Sequence, residues 1–145
     1  MVDLQSNCTG FINSLLVASD KLSNDEDADC AIVMAAEANS PFIDPQDLDA
    51  AMFWSDGAGV VTLERTTDSN SGVISRAHLG NLENNEAVRL GWKQEVVGPR
   101  SIRFADDIEM GGLATWRQAT SGLPKVVKLA AQRAGLTFDQ IDWFI

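Results

Sequence analysis

No stretch of this sequence is apolar for long enough to cross a bilayer. Its longest uninterrupted apolar run, Cys30 to Ala36, falls far short of a spanning helix. The N-terminus shows no basic region followed by an apolar segment, so no secretory signal is read there. Positive charge is scarce too: 11 lysines and arginines stand against 21 aspartates and glutamates, a net charge of −10. That balance argues against nucleic acid as a partner, because a phosphate backbone demands a basic footprint. The basic residues available for an acidic partner are few, and Arg89, Lys93, Arg100 and Arg103 fall in one short region. With 2 cysteines there is no disulfide framework, and a reducing, cytoplasmic setting is expected. The acidic cluster from Asp25 to Asp29 lacks the glycine and the spaced oxygen ligands of a calcium loop. It reads as a solvated loop, and no metal is expected.

What is present suits an ordinary globular chain. The 145 residues match one domain, with 45% apolar and 22% charged residues. Val2 to Ser6 reads as a short extended run that stops at polar residues and presents Cys8. Apolar positions at Phe11, Ile12, Leu15, Leu16 and Leu22 then predict a helix ending near Lys21 or Leu22. Cys30 to Ala36 predicts a strand buried on both faces, as in parallel sheets, with Cys30 in the core. Strand, helix and buried strand make a βαβ unit and an α/β architecture. Ala50 to Trp54 reads as a short buried segment, Ser55 to Gly59 as a tight turn, and Val60 to Glu64 as a strand. Gly72 to Leu79 is the next expected strand, with the lone His78 near its end.

Further on the pattern fades from Gly80 to Pro99, which suggests a long excursion. Ser101 to Phe104 alternates like a short strand. After Met110-Gly111-Gly112 a helical pattern begins, which Gly122 and Pro124 should kink or split. Gly135 suits the residue just past its end, and Ile141 to Ile145 reads as another strand.

Cys8 is the chemically pointed residue. At a helix entrance, unpaired backbone N–H groups and the macrodipole favour a negatively charged sulfur, the nucleophilic form. Gly10 carries no side chain, so backbone or substrate could pass close to that sulfur. A buried structural thiol is the competing reading, as free cysteines often are.

The order of these pieces resembles the thiolase superfamily, most closely its β-ketoacyl-acyl-carrier-protein synthase III branch. Asn7-Cys8-Thr9-Gly10-Phe11 is similar to the nucleophile motif, and Asp44-Pro45 through Asp56-Gly57-Ala58-Gly59 to the loop leading into a Gly-Asp-Gly-Ala-Gly turn. Met110-Gly111-Gly112 resembles the start of the helix that lines the acyl and pantetheine tunnel. Ala134 to Trp143 is similar to the helix end, turn and strand that precede the family's catalytic histidine.

The resemblance implies an α/β fold: part of the thiolase-like α-β-α-β-α layered sandwich, with residues 1–145 forming one partial condensing-enzyme domain. The chain resembles an internal fragment, from the nucleophile helix of the first half to the start of the second. The family's Pro-His-Gln motif and later asparagine have no counterpart in these 145 residues.

Cys8 is then the acyl-accepting nucleophile, its backbone N–H part of the oxyanion hole, with Met110, Gly112, Trp116 and Leu48 at the substrate. The resemblance implies no bound cofactor, coenzyme A or acyl-carrier-protein thioesters as substrates, and a homodimeric parent. Leu48 stands where the family has an arginine for the nucleotide end of coenzyme A, and Trp116 where it usually has phenylalanine. Asn7 replaces a common alanine. Two other readings stay open: a non-catalytic, synthase-like partner subunit, and a cysteine hydrolase pairing Cys8 with His78.

Overall fold

A helix with one apolar stripe needs a sheet to cover it, and the first half of the chain supplies both. In the computed structural model, which describes residues 1–68, 71–81, 85–97 and 99–145, helix α1 spans Gly10–Asn24. Strand β1, Cys30–Glu37, pairs antiparallel with strand β2, Gly57–Glu64, in the register Cys30↔Glu64 to Glu37↔Gly57. Alternation then sorts the side chains. Ala31, Val33 and Ala35 share a face with Val61 and Leu63, and these are the sheet residues with reduced exposure. Val33 and Leu22 are 4% and 7% exposed. Burying each side chain of this size is worth about 1.5–3 kcal/mol.

The opposite face of the sheet is apolar and open, with Ile32, Met34 and Val60 more than 60% exposed. Cys30 is exposed as well, which corrects the expected core position. The strand is apolar on both faces, but only one face is covered. The βαβ unit is also corrected: its expected first strand, before Cys8, does not form, and β1 pairs instead with β2.

Helix α1 runs to Asn24, slightly past the expected end. Its last carbonyls are satisfied locally: Asp25 N–H donates to Lys21 O at 2.9 Å and Asn24 Nδ2 to Asp20 O at 2.7 Å. The acidic loop that follows is held by Arg65. Its guanidinium donates to the carbonyls of Asp25 and Ala28, and its backbone N–H to Asp29 O at 2.9 Å.

Two compact units divide the described residues: Met1–Glu37 with Gly57–Ile74, and Ala38–Asp56 with Ser75–Ile145. In the second, the short helix α2 spans Leu48–Ala51 and is capped by Asp47, whose carboxylate accepts from Asp49 N and Ala50 N. Only Ala50 of the expected buried segment is fully buried; Met52 and Phe53 are exposed. At the base of this loop Asn39 Nδ2 donates to Ser55 O at 3.0 Å. Asp56 accepts from Ser40 N–H at 2.8 Å and Ser40 Oγ–H at 2.7 Å. Those two bonds from Ser40 hold the Asp56 carboxyl below the usual carboxylate range.

The expected excursion from Gly80 to Pro99 is largely a hairpin; residues 82–84 and 98 lie outside the described residues. Strand β3, Val88–Val97, pairs antiparallel with β4, Arg100–Met110, and the register shifts between Leu90 and Trp92. Leu90 faces Ile108 and Trp92 faces Ala105, so Gly91 opposes both Asp106 and Asp107 in a β-bulge. A Cβ on Gly91 would lie 3.1 Å from Asp106 Cβ and 3.2 Å from Asp107 O, which explains the glycine. Arg89 pairs with Glu109 across the strands, and Lys93 with Asp106. Each carboxylate raises its basic partner's pKa, and Lys93 in turn lowers that of Asp106.

Helix α3 runs unbroken over Gly112–Arg133 with Pro124 inside it, so of the two expected outcomes, a kink or a split, the split does not occur. Proline there removes one N–H bond but leaves the flanking turns intact. The end of α3 is a Schellman motif. Gly135, at φ 70°, donates to Gln132 O at 3.1 Å, and Leu136 N–H to Ala131 O at 2.9 Å.

Residues 71–81 and 141–145 form no strand, against expectation. A strand needs a neighbour's N–H and C=O groups. Ser75 Oγ–H instead donates to Ala130 O at 2.8 Å, and Arg133 to Arg76 O at 2.7 Å. The Gly57–Gly59 segment, read as a turn, is strand, paired with Ala35 to Glu37.

Candidate active site

Cys8 sits in a single 3-10 turn, Asn7–Thr9, that feeds directly into α1, and its side chain is exposed. The helix-entrance position expected from the sequence is therefore present, and a buried structural thiol is not. The turn is made by an uncommon backbone: Asn7 has φ 46°, in the left-handed region that asparagine tolerates better than most residues. Thr9, the residue before α1, does not cap it with its side chain. Its hydroxyl turns back and donates to Ser6 O at 2.9 Å, while its backbone N–H donates to the same oxygen at 3.1 Å.

From one turn into α1, Asn13 Nδ2 donates to Ser6 Oγ at 3.0 Å and to Thr9 Oγ1 at 3.2 Å. Sequence reasoning passed over Asn13; the available signal was a polar residue between Ile12 and Leu15 in an otherwise apolar helix start. Beyond its chain neighbours and the backbone of its own helix, no described atom lies within 4 Å of a Cβ built on Gly10. Its small size is not needed by the backbone here, which leaves open space beside the cysteine turn.

The residues assigned to the substrate lie in the second unit. Helix α2 presents Leu48 to solvent, 67% exposed, and sets the Asp49 carboxylate 3.4 Å from where a Gly112 Cβ would stand. Leu48 carries no charge, so this position offers no cation to a nucleotide phosphate. Gly112 opens α3, and Trp116 follows one turn later on the same side of the helix, 63% exposed. Met110, the last residue of β4, is half-buried and lines a shallow groove with Asp47, Glu86, Arg89, Glu109 and Gly111. The structure thus brings α2, Met110 and Gly112 together.

Of the basic residues singled out in the sequence, Arg89 is engaged by Glu86 and Glu109, and Lys93 by Asp106. The side chains of Arg100 and Arg103 lie outside the described ones. His78 is exposed and belongs to no helix or strand. Among the described residues no group of three His, Cys, Asp or Glu side chains could hold a metal ion, and no helix is long and apolar enough to cross a membrane.

Comparison with known proteins bears on the family and the fold. The chain is 31% identical over 144 residues to β-ketoacyl-[acyl-carrier-protein] synthase III of Rhizorhabdus wittichii, an alignment covering 99% of this chain and 43% of that protein. It is 32% identical over 146 residues to the enzyme of the same name from Limosilactobacillus reuteri, covering 99% and 44%. The chain therefore spans less than half the length of the curated relatives it matches.

Among solved structures, the Thermus thermophilus β-ketoacyl-[acyl carrier protein] synthase III superposes with a TM-score of 0.76 at 23% identity, over 97% of this chain and 43% of that one. The 3-oxoacyl-[acyl-carrier-protein] synthase III of Aquifex aeolicus gives 0.63 at 21% identity, over 96% and 41%. The fold is thus part of the thiolase-like α/β fold that those structures carry. Residues 2–81, from before the Cys8 turn to beyond His78, match the family described as 3-oxoacyl-[acyl-carrier-protein (ACP)] synthase III, and the chain belongs to that family.

Proposed function

We propose that this chain is the nucleophile-bearing portion of an acyl-thioester condensing enzyme, and that Cys8 accepts the acyl group. One observation carries the reading. Within the matched region, Cys8 is exposed in a tight turn at the entrance of a 15-residue helix. Unpaired backbone N–H groups at the start of a helix favour negative charge on an atom placed there.

In the step, the Cys8 sulfur attacks the thioester carbonyl and the oxygen takes up negative charge, to which the Cys8 backbone N–H would donate. Collapse of that intermediate expels the donor thiol and leaves an acyl–cysteine. Met110, Gly112 and Trp116 are the proposed contacts for the acyl group and pantetheine arm, and Leu48 stands at the position proposed for the nucleotide end of the donor. The donor is an acyl thioester of coenzyme A or of a carrier protein, and the uncharged Leu48 favours the carrier.

Condensation asks for more. A malonyl thioester that loses carbon dioxide develops an enolate, which must be stabilised by hydrogen-bond donors. The family resemblance assigns that task to a histidine in Pro-His-Gln and to an asparagine, neither of which is in these 145 residues. The full reaction, of the kind used to build fatty acids and polyketides, belongs to the whole domain of which residues 1–145 are the proposed part. This chain alone is expected to self-acylate without condensing.

The test uses both thiols, since Cys8 and Cys30 are exposed alike. The chain is incubated with acyl thioesters and the adduct is mapped by mass spectrometry. Acylation at Cys8 is expected; a label on Cys30 or on neither thiol removes the proposal. A second reading, a non-catalytic partner subunit, draws on the uncovered apolar face at Ile32, Met34 and Val60. It requires that Cys8 stay unacylated in the assembled protein.

A further inference from the structure

The cysteine turn is held by a side chain that is neither in the turn nor at the sulfur. Ser6 and Thr9 flank the Asn7–Cys8 pair, and they are joined through the Ser6 carbonyl, the Thr9 N–H and hydroxyl, and the Asn13 amide. Thr9 Oγ1 works in both directions, donating to Ser6 O at 2.9 Å and accepting from Asn13 Nδ2 at 3.2 Å. The same Nδ2 donates to Ser6 Oγ at 3.0 Å. Asn13 therefore ties both sides of the turn to the start of α1, where Leu15 and Leu16 are half-buried.

Left to itself the turn is costly. Asn7 is held at φ 46°, and Thr9 spends its hydroxyl on Ser6 rather than on capping the helix. A half-buried asparagine with two acceptors supplies what the local backbone does not.

We propose that Asn13 is a positioning residue for Cys8: it clamps Ser6 to Thr9 and so fixes where the sulfur stands relative to the N-terminal N–H groups of α1. This rests on the reading of Cys8 as the acyl acceptor. Asn13 itself touches neither sulfur nor substrate in the role proposed. Its effect should thus appear in the rate of sulfur attack, with little change in thioester binding.

The experiment uses the full 145-residue chain and two probes. The first is an acetyl thioester of N-acetylcysteamine, with acylation of Cys8 followed by intact mass against thioester concentration. The second is iodoacetamide, with alkylation of Cys8 and Cys30 followed separately by peptide mapping. Asn13→Ala should lower the limiting acylation rate about fivefold, the equivalent of one net hydrogen bond, at an unchanged half-saturating concentration. Its Cys8 alkylation should slow while Cys30 reacts as in the unmodified chain. Thr9→Val should behave alike, and Thr9→Ser, which keeps the hydroxyl, should restore the rate.

Unchanged Cys8 rates in Asn13→Ala overturn the proposal. If that variant unfolds, seen as both thiols accelerating together, the Thr9 pair decides: equal loss in Thr9→Val and Thr9→Ser overturns it, and loss in Thr9→Val alone supports it. The two ideas fail separately. An unmodified chain that never acylates removes the acyl-acceptor reading, whereas the iodoacetamide comparison tests the clamp regardless.

Discussion

Replacing Asn7 by alanine isolates the backbone demand of the cysteine turn. At φ 46° an L side chain crowds its own carbonyl, and the left-handed region costs about 1–2 kcal/mol for ordinary residues. Asparagine offsets part of that through its short polar side chain, and glycine avoids it at some entropic cost of its own. The change to alanine should therefore destabilise the turn by about 1 kcal/mol, and Asn7→Gly by less than half of that. Since 1 kcal/mol is about fivefold in an equilibrium constant, local opening should become about five times more frequent.

Amide hydrogen exchange read by NMR at Asn13 and Ser14 reports this opening directly. Exchange should accelerate in the order asparagine, glycine, alanine. Alanine exchanging as slowly as asparagine, or more slowly than glycine, refutes the assignment of strain to this residue. The outcome matters because the resemblance sets alanine as the family's common residue where this chain has asparagine.

Three further expectations are more local. Gly10→Ala should leave α1 intact, as no described atom beyond its chain neighbours and its own helix backbone lies within 4 Å of the new Cβ, so circular dichroism should hold while thioester acylation of Cys8 slows if substrate uses that space. Gly91→Ala should force the β-bulge apart at the 3.1 and 3.2 Å contacts; a cost of about 1–3 kcal/mol should appear as faster amide exchange along Val88–Val97. Asp56 has its pKa lowered by Ser40, so the tie it makes is present above the ordinary aspartate pKa and is lost as pH falls through its lower folded value. A carbon-detected carboxyl titration should show it ionising at lower pH than an unstructured aspartate, and Ser40→Ala should move it upward.

Local signals were readable wherever a residue's conformation depends on its own neighbours. Gly135 was legible as a helix terminator because a left-handed C′ position is a local demand, and Cys8 at a helix entrance follows from Phe11 to Leu16. Elements that depend on a distant partner were not. Ile141 to Ile145 and Gly72 to Leu79 have the composition of strands but find no ladder among the described residues. Gly57 to Gly59 has the composition of a turn yet is paired by Ala35 to Glu37.

The first strand of the hairpin was read as an excursion, although Val88, Leu90, Trp92 and Val96 fall at alternate positions within it. Gly91 and the charged residues between them lowered the apolar content enough to hide it. At the site, Leu48 and Gly112 are far apart in sequence, and only the fold brings Asp49 against Gly112. Asn13 escaped notice because its role exists only through Ser6 and Thr9.

The ties from Asn39 and Ser40 to Ser55 and Asp56 give the stretch between them an evolutionary character of its own. Its ends are fastened to each other without reference to what lies inside. A loop built this way can change at Leu48 or Asp49, or in length around Pro45, while the ties at its ends stay in place. The closed loop is thus a cassette, whose contents can drift from one descendant to the next without undoing its closure.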